Sequence, residues 1–215
     1  IFQQKGEKMG NFQWILSKDK FLTSNEIKRL RNLLAKRQRI AKQKGNKVAI
    51  RDWFIVNIGL FTGLRVQEIA DLRCGNICLD GHCYVFVRNG KGGKQRIVRF
   101  NGGFCKHITE YLEWKKSVGE SITDEAPLIC SSKKNGCMSK RAIQEAFKRS
   151  ALRAGLSGHS IHHLRHTYAS HLYKASKYNL RLVQKQLGHS SIKTTQVYAD
   201  VFDEDMEKAL ERLYE

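Results

Sequence analysis

The stretch from Ile77 to Phe100, ICLDGHCYVFVRNGKGGKQRIVRF, decides the fold class. Three β-prone runs, Ile77–Leu79, Tyr84–Val87 and Arg96–Phe100, are separated by Asp80-Gly81 and by Asn89-Gly90-Lys91-Gly92-Gly93. Both separators are turn sequences, so the stretch predicts a three-strand antiparallel meander. On either side the apolar period is that of helices. Before it, Thr23 and Glu26 stand three apart, as in a capping box, and Ile27, Leu30 and Leu34 follow at helical spacing. This predicts a helix to about Gln43. A more apolar helix, about Val48–Phe61, stops at Thr62-Gly63, and a short one, Val66–Leu72, follows at once. After the meander come helices at about Gly103–Val118, Lys140–Ala154, Ile161–Ala175, Arg181–Leu187, Ile192–Ala199 and Asp203–Tyr214, with a short strand-like Pro127–Cys130 between the first two. The expected fold is α+β: a mostly helical single domain with a small three-stranded antiparallel sheet.

At 215 residues the chain holds one good core but is short for two full domains. Residues 1–16 are polar, lack a period, and are expected to be a leader or linker; residues 17–215 form the domain. Lysine and arginine number 39 against 20 aspartate and glutamate, a net charge of +19, which points to a polyanionic partner, foremost nucleic acid. The exposed side of the first helix, with Lys28, Arg31, Lys36, Arg37, Arg39, Lys42 and Lys44, is strongly basic. No apolar stretch approaches the ~20 residues of a membrane span, and a cytoplasmic location is expected. The six cysteines, Cys74, Cys78, Cys83, Cys105, Cys130 and Cys137, read as reduced thiols, because a chain of this size does not need staples. Cys74, Cys78 and Cys83 with His82 lack the two-residue gap of a zinc knuckle, so no metal is expected.

Five stretches concentrate groups suited to a phosphodiester. Thr62-Gly63-Leu64-Arg65-Val66-Gln67-Glu68 places an arginine at a helix start, where it can grip an anionic oxygen or simply pair with Glu68. The Asn89–Lys94 turn projects lysines from a tight tip. His159-Ser160-Ile161-His162-His163-Leu164-Arg165-His166-Thr167 sets His162 and Arg165 three apart on one helix face. Its histidines lack a His-Glu-x-x-His pattern, which favours phosphate over metal. Leu187-Gly188-His189 and Thr194-Thr195-Gln196-Val197-Tyr198 complete the set, with Tyr198 nine residues after His189. Taken singly, His189 is a helix-end histidine and Tyr198 a core aromatic. Their joint occurrence changes the reading.

In order and spacing these five motifs resemble those of the tyrosine recombinase family, the phage integrase and Xer-like enzymes, over about residues 20–212. The resemblance implies a site-specific DNA recombinase, such as a mobile-element integrase, that works through a covalent 3′-phosphotyrosine. It makes Tyr198 the nucleophile and Arg65 and Arg165 the grip on the non-bridging oxygens, with His189 donating to the same phosphate. His162 falls on the position that exchanges the tyrosine proton, with His163 as a rival. Lys91 falls on the lysine that protonates the leaving 5′ oxygen, with Lys94 as a second possible acid; Lys94 and Arg96 are expected to contact DNA. Glu68 matches an acidic position that orients the site. No cofactor is implied, since arginines take the place of metal cations. Double-stranded DNA is the implied partner, bound by a homotetramer that exchanges C-terminal helices, or by the monomer alone. The resemblance also implies a helical, core-binding domain ahead of the catalytic one, which is expected to be absent from this sequence. A type IB topoisomerase-like activity and a non-catalytic DNA-binding module are the alternatives.

Overall fold

The computed structural model describes residues 18–199 except 89, 91, 92 and 132–135. The expected leader, Lys91 and the expected helix Asp203–Tyr214 lie outside the described residues. The chain builds α1 (Ser24–Gln43), α2 (Lys47–Thr62), α3 (Val66–Ala70), β1 (Ile77–Cys78), β2 (Tyr84–Val87), β3 (Arg96–Arg99), α4 (Gly102–Ser117), α5 (Lys140–Arg153), α6 (Ile161–Ala175), α7 (Leu180–Leu187) and α8 (Lys193–Gln196). Helix dominates, and one small sheet interrupts it, as the sequence predicts.

The first helix starts where its capping box puts it: Glu26 N–H donates to Thr23 Oγ1 at 3.3 Å, and Thr23 N–H donates to Glu26 Oε2 at 2.8 Å. It buries Leu30, Leu34, Gln38 and Ala41, and turns Lys28, Arg31, Lys36, Arg39, Lys42 and Lys44 to solvent. The second helix is apolar nearly all round, the signature of a helix packed on every side. It buries every residue from Ala49 to Gly59 and packs on α1, α4, α5 and α6. Stacked rings, Phe54 on Tyr111 (centroids 3.8 Å apart) and Phe61 on Phe104 (4.9 Å), join it to α4. Gly63 ends it in the left-handed conformation, φ +61°, with the Tyr168 ring where a side chain would stand.

The sheet runs β1-β2-β3, antiparallel throughout, with Val85 opposite Val98 and Val87 opposite Arg96. Val85, Val87 and Val98 face the core, while Ile97 is largely exposed. Three expectations need correction. Pro127–Cys130 is not a strand: it contributes single bridges, Arg73 to Pro127 and Cys130 to Cys137. The Ile192–Ala199 helix shrinks to Lys193–Gln196, in keeping with the low helix propensity of neighbouring threonines and the burial of Tyr198 beyond it. The cysteines are not all thiols, because Cys83 and Cys105 form a disulfide, their Cα atoms 6.3 Å apart. Its cause is the sheet register: Phe100 N–H donates to Cys83 O, which brings the start of β2 beside the chain as it enters α4. Cys74, Cys78, Cys130 and Cys137 are free.

A second, smaller core cluster lies apart from the main one. Ala169 of α6, Val183 and Leu187 of α7, and Tyr198 form it. It makes the floor of the site.

Candidate active site

Arg65 caps α3 two residues after the left-handed Gly63. Its backbone N–H donates to Glu68 Oε2 at 2.8 Å and its Nη1 to Glu68 Oε1 at 2.9 Å. The local pairing weighed as the plain explanation is therefore real, but it is not the whole arrangement. Arg96 of β3 meets the same carboxylate in bidentate fashion, Nη1 to Oε1 and Nη2 to Oε2, both at 2.8 Å. Two guanidiniums on one carboxylate leave a surplus positive charge. Burial alone would raise the pKa of Glu68. The hydrogen bonds and charge of Arg96, then those of Arg65, outweigh it and hold the carboxyl at about 2.

Arg165, one of the buried charges, is 8% exposed. It sits where two helices end: Nη1 donates to Gly63 O at 2.6 Å and Nη2 to Leu187 O at 2.9 Å, both carbonyls at helix C-termini. Burial, then the charge of Arg65, lowers its pKa to about 10, so it is still a cation at neutral pH. Gly188 turns the chain at φ +67° out of α7 and delivers His189 to Arg165. His189 Nε2 lies 3.1 Å from Arg165 Nη2, and its Nδ1 lies 2.9 Å from Thr195 Oγ1. A guanidinium only donates, so Nε2 accepts, and Nδ1 carries the proton given to Thr195. Burial foremost, then the charges of Arg165 and Arg65, lowers the pKa of His189 to about 4.

Tyr198 is 2% exposed. Burial raises its pKa, and the charges of Arg165 and Arg65 oppose that rise. The structure thus brings Arg65, Glu68, Arg165, His189 and Tyr198 together, and it adds Arg96. The sequence reading sent Arg96 to DNA; here its guanidinium grips Glu68, its Nε donates to Gln186 O at 3.3 Å, and its side chain is 11% exposed. Its position on β3, two residues past Lys94, carried no sign of that.

The histidine-rich stretch divides its roles in an unforeseen way. His162 is exposed, and His163 lies with its Nδ1 3.0 Å from His159 Nδ1, a ring in turn 3.5 Å from Glu26. His166 is the histidine whose Nδ1 meets Tyr198 Oη, at 3.1 Å. The three-residue spacing that drew attention to His162 identifies the face of Arg165, and His166 points away from that face. Lys94 is exposed on the hairpin, which Gly90 N–H closes by donating to Lys94 O at 3.0 Å. Beside it opens a groove of about 640 Å³ whose charged lining is all cationic: Lys94, Arg96, Arg181 and Lys185, with His189 at one wall.

Among the described residues no helix is long and apolar enough to cross a membrane. The sequence profile of the phage integrase family matches residues 20–205. The tyrosine recombinase XerC of Caldanaerobacter subterraneus subsp. tengcongensis is 34% identical over 164 residues, which is 75% of this chain and 44% of that protein. The tyrosine recombinase XerA of Pyrococcus furiosus is 30% identical over 212 residues, 97% of this chain and 67% of that protein. Among solved structures, the XerA recombinase superimposes with a TM-score of 0.71 at 25% identity, over 91% of this chain and 65% of that one. The XerH site-specific recombinase bound to its difH substrate, in a pre-cleavage complex, gives 0.68 at 26% identity, over 87% and 52%. The chain spans about half to two thirds of the length of these relatives. With the profile matched from the start of the helical body to beyond Tyr198, the chain belongs to the phage integrase family.

Proposed function

We propose that this chain is the catalytic part of a site-specific DNA recombinase that cuts and rejoins double-stranded DNA in the cytoplasm through a 3′-phosphotyrosine on Tyr198. One observation carries the reading: a buried tyrosine stands beside two arginines and a histidine, next to a groove lined by cations. A phenol of pKa about 10 is a poor nucleophile at neutral pH, so it needs a positive field and a proton acceptor. Arg65 and Arg165 supply the field. As phosphorus becomes five-coordinate, its equatorial oxygens gain charge, and guanidiniums already fixed in place stabilise that state more than the ground state.

An arriving phosphate oxygen takes Arg165 Nη2 away from His189, and its negative charge favours a protonated His189 that donates from Nε2. Lys91, or Lys94 behind it, protonates the departing 5′ oxygen, and exposed His162 approaches the DNA backbone. The phosphotyrosine keeps the energy of the broken diester, so rejoining needs no ATP, and the arginines take the place of a metal ion. Four chains on DNA, linked by their C-terminal helices, are the proposed assembly. A strand-exchanging enzyme of this kind differs from a topoisomerase in joining ends of different duplexes.

The test begins with nicked duplexes carrying a randomised core, selected by covalent capture on the wild-type chain. The Tyr198→Phe variant should retain the selected duplex in a gel shift and form no denaturant-stable adduct. An adduct with that variant would remove Tyr198 from the role of nucleophile.

A further inference from the structure

The hydroxyl of Tyr198 is met by a histidine that neither the spacing of the motif nor the family resemblance singled out. Helix α6 turns by about 100° per residue, so Arg165 reaches the ends of α2 and α7 while its neighbour His166 meets Tyr198, a member of the second core cluster. His166 Nδ1 and Tyr198 Oη are 3.1 Å apart, with the ring centroids 6.0 Å apart and the planes inclined by 47°. The imidazole therefore meets the phenol at its oxygen and does not stack on its face. We infer that His166 Nδ1 is the acceptor of the Tyr198 proton during strand cleavage and its donor during rejoining. The inference rests on the reading of Tyr198 as the nucleophile.

As a lone pair of Oη forms the bond to phosphorus, the Oη–H bond breaks, and its electrons stay on oxygen. The proton passes to the Nδ1 lone pair. The bond from phosphorus to the 5′ oxygen breaks, and that oxygen takes a proton from a separate acid, the hairpin lysine proposed above. In rejoining, His166 returns its proton to the phenolic oxygen.

One further observation favours His166 over its neighbours. His163 lies against His159, and His162 is exposed, whereas the His166–Tyr198 pair is partly sheltered from solvent. Burial foremost, then the charges of His163, Arg165, His162 and Lys20, lowers the pKa of His166 to about 4, so its ring is neutral and can accept at neutral pH. A base that weak does not ionise a free phenol. The proton moves as the bond to phosphorus forms, and the incoming phosphodiester offsets the same cations that depress the ring.

The test uses the full chain and the selected nicked duplex under single-turnover conditions. His166→Asn places an amide oxygen near the position of Nδ1 but cannot hold a proton there. General-base assistance is worth about 100-fold or more. Adduct formation by His166→Asn should accordingly slow about 100-fold, with gel-shift affinity unchanged. In a chain carrying 3,5-difluorotyrosine at position 198, whose phenol is more acidic, the same substitution should cost less than about tenfold, since less assistance is needed. Equal losses in the natural and fluorinated chains would reduce His166 to a support of the fold and overturn the inference. An unchanged rate in His166→Asn would overturn it too. Should that variant lose its helical circular dichroism, His166→Gln is read by the same comparison. Adduct formation by Tyr198→Phe strikes the nucleophile assignment instead, so the two failures are distinct.

Discussion

Glu68 holds two arginines on one carboxylate that is 3% exposed, which makes it the residue on which the charge of the site turns. Its pKa of about 2 lies below the ordinary 4.5, so its pairing contributes stability above about pH 4.5 that is lost as pH falls through 2. That shift corresponds to roughly 3 kcal/mol. Urea unfolding of the wild type between pH 4.5 and 2 should therefore lose roughly 3 kcal/mol more than that of Glu68→Gln; parallel curves would deny the pairing its weight. The Arg65–Glu68 pair was legible in the sequence because residues three apart share a helix face. The Arg96–Glu68 pair was not: it joins residues 28 apart, one on β3 and the other on α3, which only the tertiary fold brings together. The same limit hid His166, whose partner Tyr198 is 32 residues away on another element.

At the scale of elements, two helix ends make the arginine pocket. Helices α2 and α7 both stop at a left-handed glycine, Gly63 and Gly188, and Arg165 takes a carbonyl from each end. Glycine was readable as a stop at Gly63 from the apolar run that ends there, and so was the first helix from its capping box. The length of α8 and the disulfide were not, since one follows from burial of Tyr198 and the other from the register of the sheet. A side chain at Gly188 would meet Arg96, while one at Gly45, with a similar φ of +67°, would meet nothing within 4 Å. Left-handed strain costs about 1 kcal/mol at either position. Gly45→Ala and Gly188→Ala should therefore both lower thermal stability, but only Gly188→Ala should also slow adduct formation, because Arg96 must leave its place to admit the methyl. Equal activity in the two variants would show that Arg96 tolerates the displacement.

For the molecule as a whole, the net charge of +19 points to a polyanionic partner, and the structure places part of that charge on the outer side of α1 and in the groove beside His189. The α+β class followed from one stretch with a strand period inside a helical chain. What composition could not supply was the convergence of Arg65, Arg165, His189 and Tyr198 on one cluster, which depends on contacts between distant parts of the chain. On the proposed function, this cluster turns Tyr198 into a nucleophile. The most direct test is to trap the covalent complex on the selected nicked duplex, digest it with nuclease and trypsin, and sequence the modified peptide by mass spectrometry. A nucleotide joined through its 3′ phosphate to Tyr198 is the predicted result; a nucleotide on any other residue, or joined through a 5′ phosphate, would contradict it.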